Sequence, residues 1–464
     1  MSLHLERADD IGDCARLFLE VDGAVAAAQV ADAQSQRIRG FPYLRVNRLL
    51  ASYAPDDMAP SEFDAWAAAL AALDEDARNV ELENLPATTE LYVDKDTLAA
   101  CREALLNQDL ADARTRSRLS EQARTVASYS GAKRVLGLYP LTSIAMRFGV
   151  GRLNKDTAAR FRLPLAELPV EGALVRFEAA QSASVLTADE VAVMLHTTSE
   201  NELNIASPNE RQLAQLFQTF APVWEIDVST DDDRIGRPSW VSGQLSVDVA
   251  QPTMYTLVSH TRLAGEIALQ LNYVVWFPAR PLRNGIDLLG GVLDGITWRV
   301  TLAGDGRPIF YDAMHNCGCY YMAFPTGRVQ QKAKQSGFDE PIAVPQRVDD
   351  GDGPLVIRLQ TGSHYLSRVY RGADTSNRAR VALKWSDYDE LRSLPGTDGR
   401  RSLFASDGLV TGSERGERWL FWPMGIAEPG AMRQWGNHAI AFVGKRHFDD
   451  PDLIDRHFRI VPAD

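Results

Sequence analysis

The chain has 464 residues and a formal net charge of −13, from 49 basic and 62 acidic side chains, and 45% of its residues are hydrophobic. The length accommodates two or three domains, and the hydrophobic content is that of a globular protein with a sizeable core. The acidic balance argues against a general nucleic-acid binder, which would need a basic face. No apolar run is long enough to predict a transmembrane helix.

The start of the chain and two of its cysteines bear on the cellular compartment. The first ten residues, MSLHLERADD, lack the apolar stretch of a signal peptide, so the sequence as it stands predicts a cytoplasmic protein. A trimmed leader together with a disulfide between Cys14 and Cys101 would instead indicate a periplasmic or exported protein. Both cysteines lie on predicted helices, and their spacing leaves open whether they are bonded or are two buried free thiols.

Residues 1–165 are predicted to form a mainly helical domain. Residues 12–30 place apolar side chains on one helical stripe, residues 60–85 hold an alanine-rich run, and residues 95–128 give a third helix. The apolar segment 136–153 follows. Because the chain as a whole is acidic, we favour a packed connector over a membrane-surface segment, and peripheral membrane association is disfavoured.

Residues 166–222 are predicted to be a mixed linker region with helices, and residues 223–464 an antiparallel β-rich domain. Three hairpins in the latter alternate apolar and polar side chains, the two-residue period of a strand with one buried face. The predicted fold class is therefore α+β, with a helical N-terminal domain followed by a β-sandwich-like C-terminal domain. The alternating apolar side chains are Ile267, Leu269, Leu271, Tyr273, Val275 and Phe277 in the first hairpin, Ile296, Trp298, Val300 and Leu302 in the second, and Leu355, Ile357 and Leu359 in the third.

The segment 312–325, DAMHNCGCYYMAFP, is distinctive because it holds two of the four cysteines of the chain. In an extended strand His315, Cys317 and Cys319 would point to one face. The first and the last of them would then lie about 13 Å apart, too far for bonds to one zinc ion. A bend at residues 316–318 would bring them together, and glycine and asparagine tolerate the backbone conformation that such a bend needs.

Four interpretations of this segment stay open. The cysteines can fill space in a packed turn, bind a transition metal such as zinc together with His315 and His260, supply a thiolate nucleophile with His315 or His364 as its base, or form a labile redox pair. Glu266 is the candidate general base, at the start of a strand whose second face is polar. Residues expected to line an accompanying pocket are Gln270, Asn272, Tyr320, Arg433 and His438.

The sequence thus predicts an enzyme that depends on a metal or a thiolate, more in the manner of a hydrolase than of an oxidoreductase, with its site in the β-rich domain. The alternative is a non-enzymatic protein that binds a ligand or serves a structural role at the cell envelope. In that alternative the aromatic-rich C-terminal part would hold the ligand or partner. This part includes residues 418–426, RWLFWPMGI, which are predicted to form a short apolar strand.

Overall fold

The computed structural model describes residues 10–91, 93–282, 287–333, 339–349, 351, 353–372, 378–396 and 399–461. The fold is α+β, as predicted, with helices concentrated before residue 165 and strands after it. The helices are α1 Asp10–Ala28, α2 Pro60–Glu83, α3 Lys95–Ala111, α4 Ala113–Gln122, α5 Gly131–Leu136, α6 Tyr139–Phe161, α7 Ala188–Thr198, α8 Glu210–Phe220, α9 Arg418–Phe421 and α10 Leu453–His457.

The described strands form one ten-stranded sheet, in the order β11-β10-β9-β8-β7-β15-β3-β4-β13-β14, and four two-stranded sheets. The strands are β1 Gln36–Ile38, β2 Phe41–Val46, β3 Ala173–Ala179, β4 Val223–Val228, β5 Arg237–Val241, β6 Gln244–Asp248, β7 Thr253–Leu263, β8 Glu266–Arg280, β9 Gly291–Leu302, β10 Pro308–His315, β11 Met322–Pro325, β12 Val329–Gln331, β13 Leu355–Leu359, β14 Leu366–Arg371, β15 Ala379–Asp387, β16 Leu394–Gly396, β17 Gly399–Arg401 and β18 Phe458–Ile460.

The N-terminal helices share a hydrophobic core with the β1–β2 hairpin. The sequence did not predict this hairpin, because all six residues of β2 are buried and a two-sided strand shows no alternation. Its one charged side chain, Arg45, is buried against Asp74 and Glu81 of α2. A disulfide between Cys14 and Cys101 joins α1 to α3, so the bonded alternative is the one present.

The large sheet is mixed rather than purely antiparallel. The three predicted hairpins β7–β8, β9–β10 and β13–β14 are present and antiparallel. The pairs β4–β13, β3–β15 and β7–β15 are parallel, because long stretches of chain return each later strand to the sheet in the same direction. The first half of β15 pairs with β3 and the second half with β7, so one strand joins two parts of the sheet. β3 belongs to the region predicted as a linker.

Apart from Ile267, the alternating apolar side chains belong to one large hydrophobic cluster, to which strands from both ends of the sheet contribute. The second face of β8 is buried as well, with Gln270 and Asn272 at 2% and 0% exposure. A second hydrophobic cluster, formed with the C-terminal part of the chain, packs on the far end of this face against Val274 and Trp276. Both faces of the strand that carries the clearest predicted pattern therefore lie inside the protein.

Residues 418–424 are helical, and the prediction of a strand here is wrong. They form α9 and one further 3-10 turn over Trp422–Met424. Pro423 lacks the N–H that a strand ladder needs, and Gly425 ends the turn in a left-handed conformation with φ of 84°. Trp419 is 73% exposed, whereas the ring of Phe421 packs on that of Phe442.

Candidate functional site

A tight turn between β10 and β11 carries the two free cysteines, and the chain bends at residues 316–318, as a site shared by His315 and both cysteines would require. The N–H of Gly318 donates to the carbonyl of His315 at 2.7 Å, and the N–H of His315 donates to the carbonyl of Cys319 at 3.0 Å. Gly318 has φ of +88°, and a Cβ atom there would lie 2.5 Å from the carbonyl oxygen of Ala439. Both the conformation and the close approach require glycine at this position.

Asn316 and Arg433 hold the turn in place. The Asn316 side chain accepts from the Thr297 hydroxyl at 2.8 Å and donates to the Val275 carbonyl at 3.3 Å. The N–H of Arg433 donates to the Asn316 carbonyl, and its Nε donates to the Cys317 carbonyl at 3.0 Å. The cysteines are thus fixed to two strands of the sheet and to the C-terminal part of the chain.

Cys317 and Cys319 are reduced and in contact. The N–H of Cys319 lies 3.4 Å from the Cys317 sulfur. A hydrogen bond with Cys317, reinforced by burial, raises the pKa of the Cys319 thiol well above its ordinary value. Cys319 therefore keeps its proton, and the sulfur of Cys317 accepts from it. The buried guanidinium of Arg433 lies within electrostatic range of both sulfur atoms.

Two tyrosines stand beside the thiols. The ring centroids of Tyr320 and Tyr365 are 4.5 Å apart, and the edge of the His315 ring meets both. Arg280 donates from Nη2 to the Tyr365 hydroxyl at 3.1 Å. Tyr320 has a left-handed backbone with φ of 56°, an arrangement found more often at functional sites than elsewhere. Burial raises the pKa of Tyr320 and of Tyr365, so both hydroxyls keep their protons at neutral pH.

Behind the tyrosines lies a buried cluster centred on Asp294 of β9. Its Oδ2 atom is 2.8 Å from Nδ1 of His364, and its Oδ1 atom is 3.4 Å from Nδ1 of His315 and 3.3 Å from Nη2 of Arg415. Nε2 of His364 is 3.5 Å from Oδ1 of Asp233. Two carboxylates, two histidines and an arginine therefore form one connected polar group inside the protein.

The groups of this cluster shift one another's pKa. Burial alone would raise the pKa of Asp294, but the charge of Arg415 and hydrogen bonds from His315 and His364 hold it well below its usual range. Burial alone would lower the pKa of His364, but its hydrogen bonds to Asp233 and Asp294 raise it. Burial lowers the pKa of His315, which is therefore neutral. The two carboxylates thus face the guanidinium of Arg415 and favour the cationic form of His364, which is how buried charges are compensated.

A cavity of about 620 Å³ opens beside the turn, and its lining is mainly apolar. The volume lies within the usual range for small-molecule sites, which combine apolar walls with a few polar groups. One wall is the inner side of α6, and another is the segment from Leu420 to Met424. The polar residues that line it are Cys317, Cys319, Tyr320, Tyr321, Tyr365, Glu417, Glu340, Asn154, Thr142 and Arg446.

Glu417 is the acidic residue of this cavity that is best suited to proton transfer. Burial raises its pKa to about 6, against the opposing charges of Arg415 and Arg280. Gly430, whose φ is +89°, leaves room for the carboxyl group, since a Cβ atom there would lie 2.2 Å from Oε1 of Glu417. A carboxyl group with this pKa exchanges protons near neutral pH, which suits general acid–base catalysis.

Two sequence-predicted residues, His260 and Glu266, lie at the other end of the β7–β8 hairpin. Glu266 begins β8 and is exposed, whereas the site adjoins Phe277, about 36 Å further along the strand. Nε2 of His260 is bonded to the carbonyl of Ala206 at 2.9 Å, and burial lowers its pKa. Neither side chain reaches the thiols.

The other predicted residues are distributed as follows. Tyr320 lines the cavity, and His364 belongs to the Asp294 cluster behind it. Gln270 and Asn272 bond to neighbouring side chains on the buried face of the sheet. His438 is buried near Arg433, and burial, together with that arginine, lowers its pKa to about 3.

Across the described ranges, no three or more His, Cys, Asp or Glu side chains are grouped so as to hold a metal ion. Nδ1 of His315 faces Asp294, while the thiols line the cavity.

The described helices also include none with the length and apolar character needed to cross a bilayer. Comparison with known protein families, curated proteins and solved structures gave no match. The site is therefore interpreted from its own chemistry.

Several residues of the site were missed at the level of sequence. Asp294 and Arg415 belong to no distinctive sequence motif. Glu417 directly precedes residues 418–426, which were predicted to form a strand. Their roles depend on long-range packing, for which one sequence offers no spacing signal. A weak signal existed for Tyr365, which follows His364 directly in the turn TGSHYL.

Proposed function

We propose that the protein is a thiol-dependent hydrolase that acts on an ester or thioester with an apolar acyl group. One observation carries the proposal: the Cys317–Cys319 pair lies on the wall of an apolar cavity that also holds Glu417, a carboxyl group with a pKa of about 6. A nucleophile, a proton-transfer group and an apolar binding volume thus occur in one place, which is the combination that acyl transfer requires.

In the proposed reaction the thiolate of Cys317 attacks the carbonyl carbon of the substrate. The bond from this carbon to the leaving oxygen breaks, and the alcohol takes a proton from the Glu417 carboxyl group. Water then attacks the thioester while Glu417 takes back a proton, and the acid and the Cys317 thiolate are released. Arg433 and the thiol of Cys319 lie beside Cys317, where they stabilise the negative charge that the sulfur carries when it attacks.

The tyrosine pair supplies the groups that stabilise the developing oxyanion. Tyr320 and Tyr365 keep their phenolic protons and line the same cavity, and their hydroxyls are the proposed hydrogen-bond donors to the oxyanion. Arg280 orients Tyr365, and His315 packs against both rings. The Asp294 cluster acts only through these contacts and is a positioning element.

Hydrolysis of p-nitrophenyl esters of increasing acyl length tests the proposal. We expect Cys317→Ser to lower kcat/KM at least about a hundredfold, because a hydroxyl is a far weaker nucleophile than a thiolate. Cys319→Ser is the matched control, since it makes the same chemical change two residues further along the chain. Because the serine hydroxyl keeps a hydrogen-bond donor beside Cys317, this variant should retain most of the activity. Equal activity of the Cys317→Ser variant and the wild type would contradict the proposal.

The second candidate is a ligand-binding protein without catalysis. The mainly apolar lining of the cavity and the raised pKa of Cys319 favour it, because both suit storage of an apolar molecule. Displacement of a fluorescent fatty acid separates the two candidates. Tight binding with no ester turnover by the wild type would support this second function.

A further inference from the structure

An exposed apolar surface covers the outer side of the cavity. We call it the α5–α6–α9 face and define it as residues 131–163 and 418–422. Among the described residues, eleven of the twenty large hydrophobic side chains that are exposed lie on it. An apolar patch of this kind on a soluble domain marks an interaction surface. The eleven are Val135, Leu136, Leu138, Leu141, Ile144, Phe148, Leu153, Leu163, Trp419, Leu420 and Trp422.

Helix α6 has apolar side chains on two sides, and only one of them is needed for packing. Val150 and Phe161 are buried, and Phe161 belongs to the main hydrophobic cluster. Leu141, Ile144 and Phe148 lie on the opposite side, where Phe148 is 77% exposed. The interpretation of this segment as a packed connector therefore accounts for one side of the helix and leaves the other without a partner in the described structure.

The same segment is strongly basic. Residues 131–163 contain seven Lys and Arg against one Asp, a net charge of +6. Since the whole chain has a net charge of −13, the residues outside this segment have a net charge of −19. A second cavity, of about 590 Å³, lies along α6 and combines Ile144 and Phe148 with Arg152 and Lys155. Apolar and cationic side chains thus occupy one side of a protein that is otherwise acidic.

We propose that the α5–α6–α9 face docks on the surface of a bilayer that contains anionic phospholipids. Apolar side chains of a helix lying on a membrane enter the acyl boundary, and tryptophans such as Trp419 and Trp422 favour the interface. Lys and Arg beside them attract anionic headgroups. The rest of the chain is acidic and is repelled by anionic lipid, but salt screens this repulsion beyond about 8 Å, so it does not prevent docking. The difference in charge between the two sides of the protein turns the basic side toward the lipid.

Docking on a bilayer would bring the mouth of the cavity of about 620 Å³ to the lipid. Leu153 of α6 and Leu420 of α9 both line that cavity and are both exposed, so its mouth lies on the α5–α6–α9 face. An apolar ligand can therefore pass between the bilayer and the cavity without crossing water. The docking surface itself contains none of the residues proposed for catalysis, and it stands whether or not the protein is a hydrolase.

Flotation of the full chain with vesicles tests the proposal. We expect binding to vesicles of phosphatidylcholine with phosphatidylserine, weak binding to phosphatidylcholine alone, and release at high salt. Neutralisation by Arg152→Gln with Lys155→Gln should lower the partition coefficient about twenty-five-fold, at about fivefold for each basic residue. Phe148→Asp should abolish binding, whereas Val193→Asp on α7, also an exposed apolar position, should not change it.

Two results would overturn the proposal. The first is equal partition into neutral and anionic vesicles, or no partition into either. The second is a dimer in sedimentation analysis that Phe148→Asp dissociates, because the face would then be covered by a second copy of the chain. Ester hydrolysis in solution without vesicles is measured in parallel, so that loss of docking and loss of catalysis are distinguished.

Discussion

The Nδ1 atom of His364 lies 2.8 Å from the Oδ2 atom of Asp294, although the two residues are 70 positions apart in the chain. His364 lies in the turn between β13 and β14, at one edge of the ten-stranded sheet, and Asp294 lies on β9, near the other edge. The sheet therefore curves enough to bring the β13–β14 turn against β9, and this hydrogen bond joins them behind the candidate site.

Removal of the Asp294 charge is expected to destabilise the whole fold. In Asp294→Asn the buried side chains of Arg415 and His364 lose the carboxylate that they share, which costs about 3–5 kcal/mol. Urea unfolding followed by fluorescence measures the loss. Asp64→Asn on the exposed side of α2 is the control and should change the unfolding free energy by less than about 0.5 kcal/mol. Similar values for the two variants would refute the role assigned to the cluster.

The His364 contribution to stability is expected to depend on pH. Because its pKa is raised in the folded protein, the contribution is complete below the unfolded value of about 6.5 and is lost as the pH rises through the folded value. The difference in unfolding free energy between the wild type and His364→Gln should therefore be larger at pH 6 than at pH 9. A difference that is constant with pH, or that grows toward pH 9, would show that His364 is neutral in the folded state.

Gly318→Ala is expected to distort the turn that presents the thiols. A Cβ atom at this position meets the Ala439 carbonyl and imposes a strained φ, with an expected cost of about 1–3 kcal/mol. Gly327→Ala, where a Cβ atom meets nothing within 4 Å, is the matched control. The iodoacetamide labelling rate of the two thiols should change in the first variant only. Unchanged labelling in both would mean that the turn tolerates a side chain.

The four cysteines are expected to separate into two classes. Unfolding without a reductant should expose two reactive thiols, Cys317 and Cys319, and reduction should add Cys14 and Cys101. Because the disulfide closes a loop of 87 residues, the double variant Cys14→Ser with Cys101→Ser should lose about 4 kcal/mol of stability. Four reactive thiols in the unreduced protein would contradict the pairing.

Much of the strand-rich half could be predicted from the sequence, because alternation along β8, β9 and β13 reports directly which side chains are buried. The sequence also permitted the bend at residues 316–318, since glycine tolerates the positive φ that it needs, but it did not require the bend. The β1–β2 hairpin and α9 were missed because a strand buried on both faces, and a short helical turn, leave no periodic pattern.

The composition of the site was less predictable. His315, Cys317, Cys319 and Tyr320 were identified because they are rare or reactive side chains close together in the chain. Their partners come from β9, from the β13–β14 turn and from the segment that holds Arg415 and Glu417. Only the curvature of the sheet brings these segments together, and curvature is a property of packing rather than of local sequence.

Mass spectrometry of the acylated protein tests the central claim most directly. The wild type is mixed with p-nitrophenyl decanoate, quenched in acid within the first turnovers, and digested without reductant. The proposal predicts a decanoyl group on the peptide that contains Cys317, absent in Cys317→Ser and present in Cys319→Ser. An unmodified Cys317 in protein that hydrolyses the ester, or the same acylation in the Cys317→Ser variant, would contradict the assignment of this cysteine as the nucleophile.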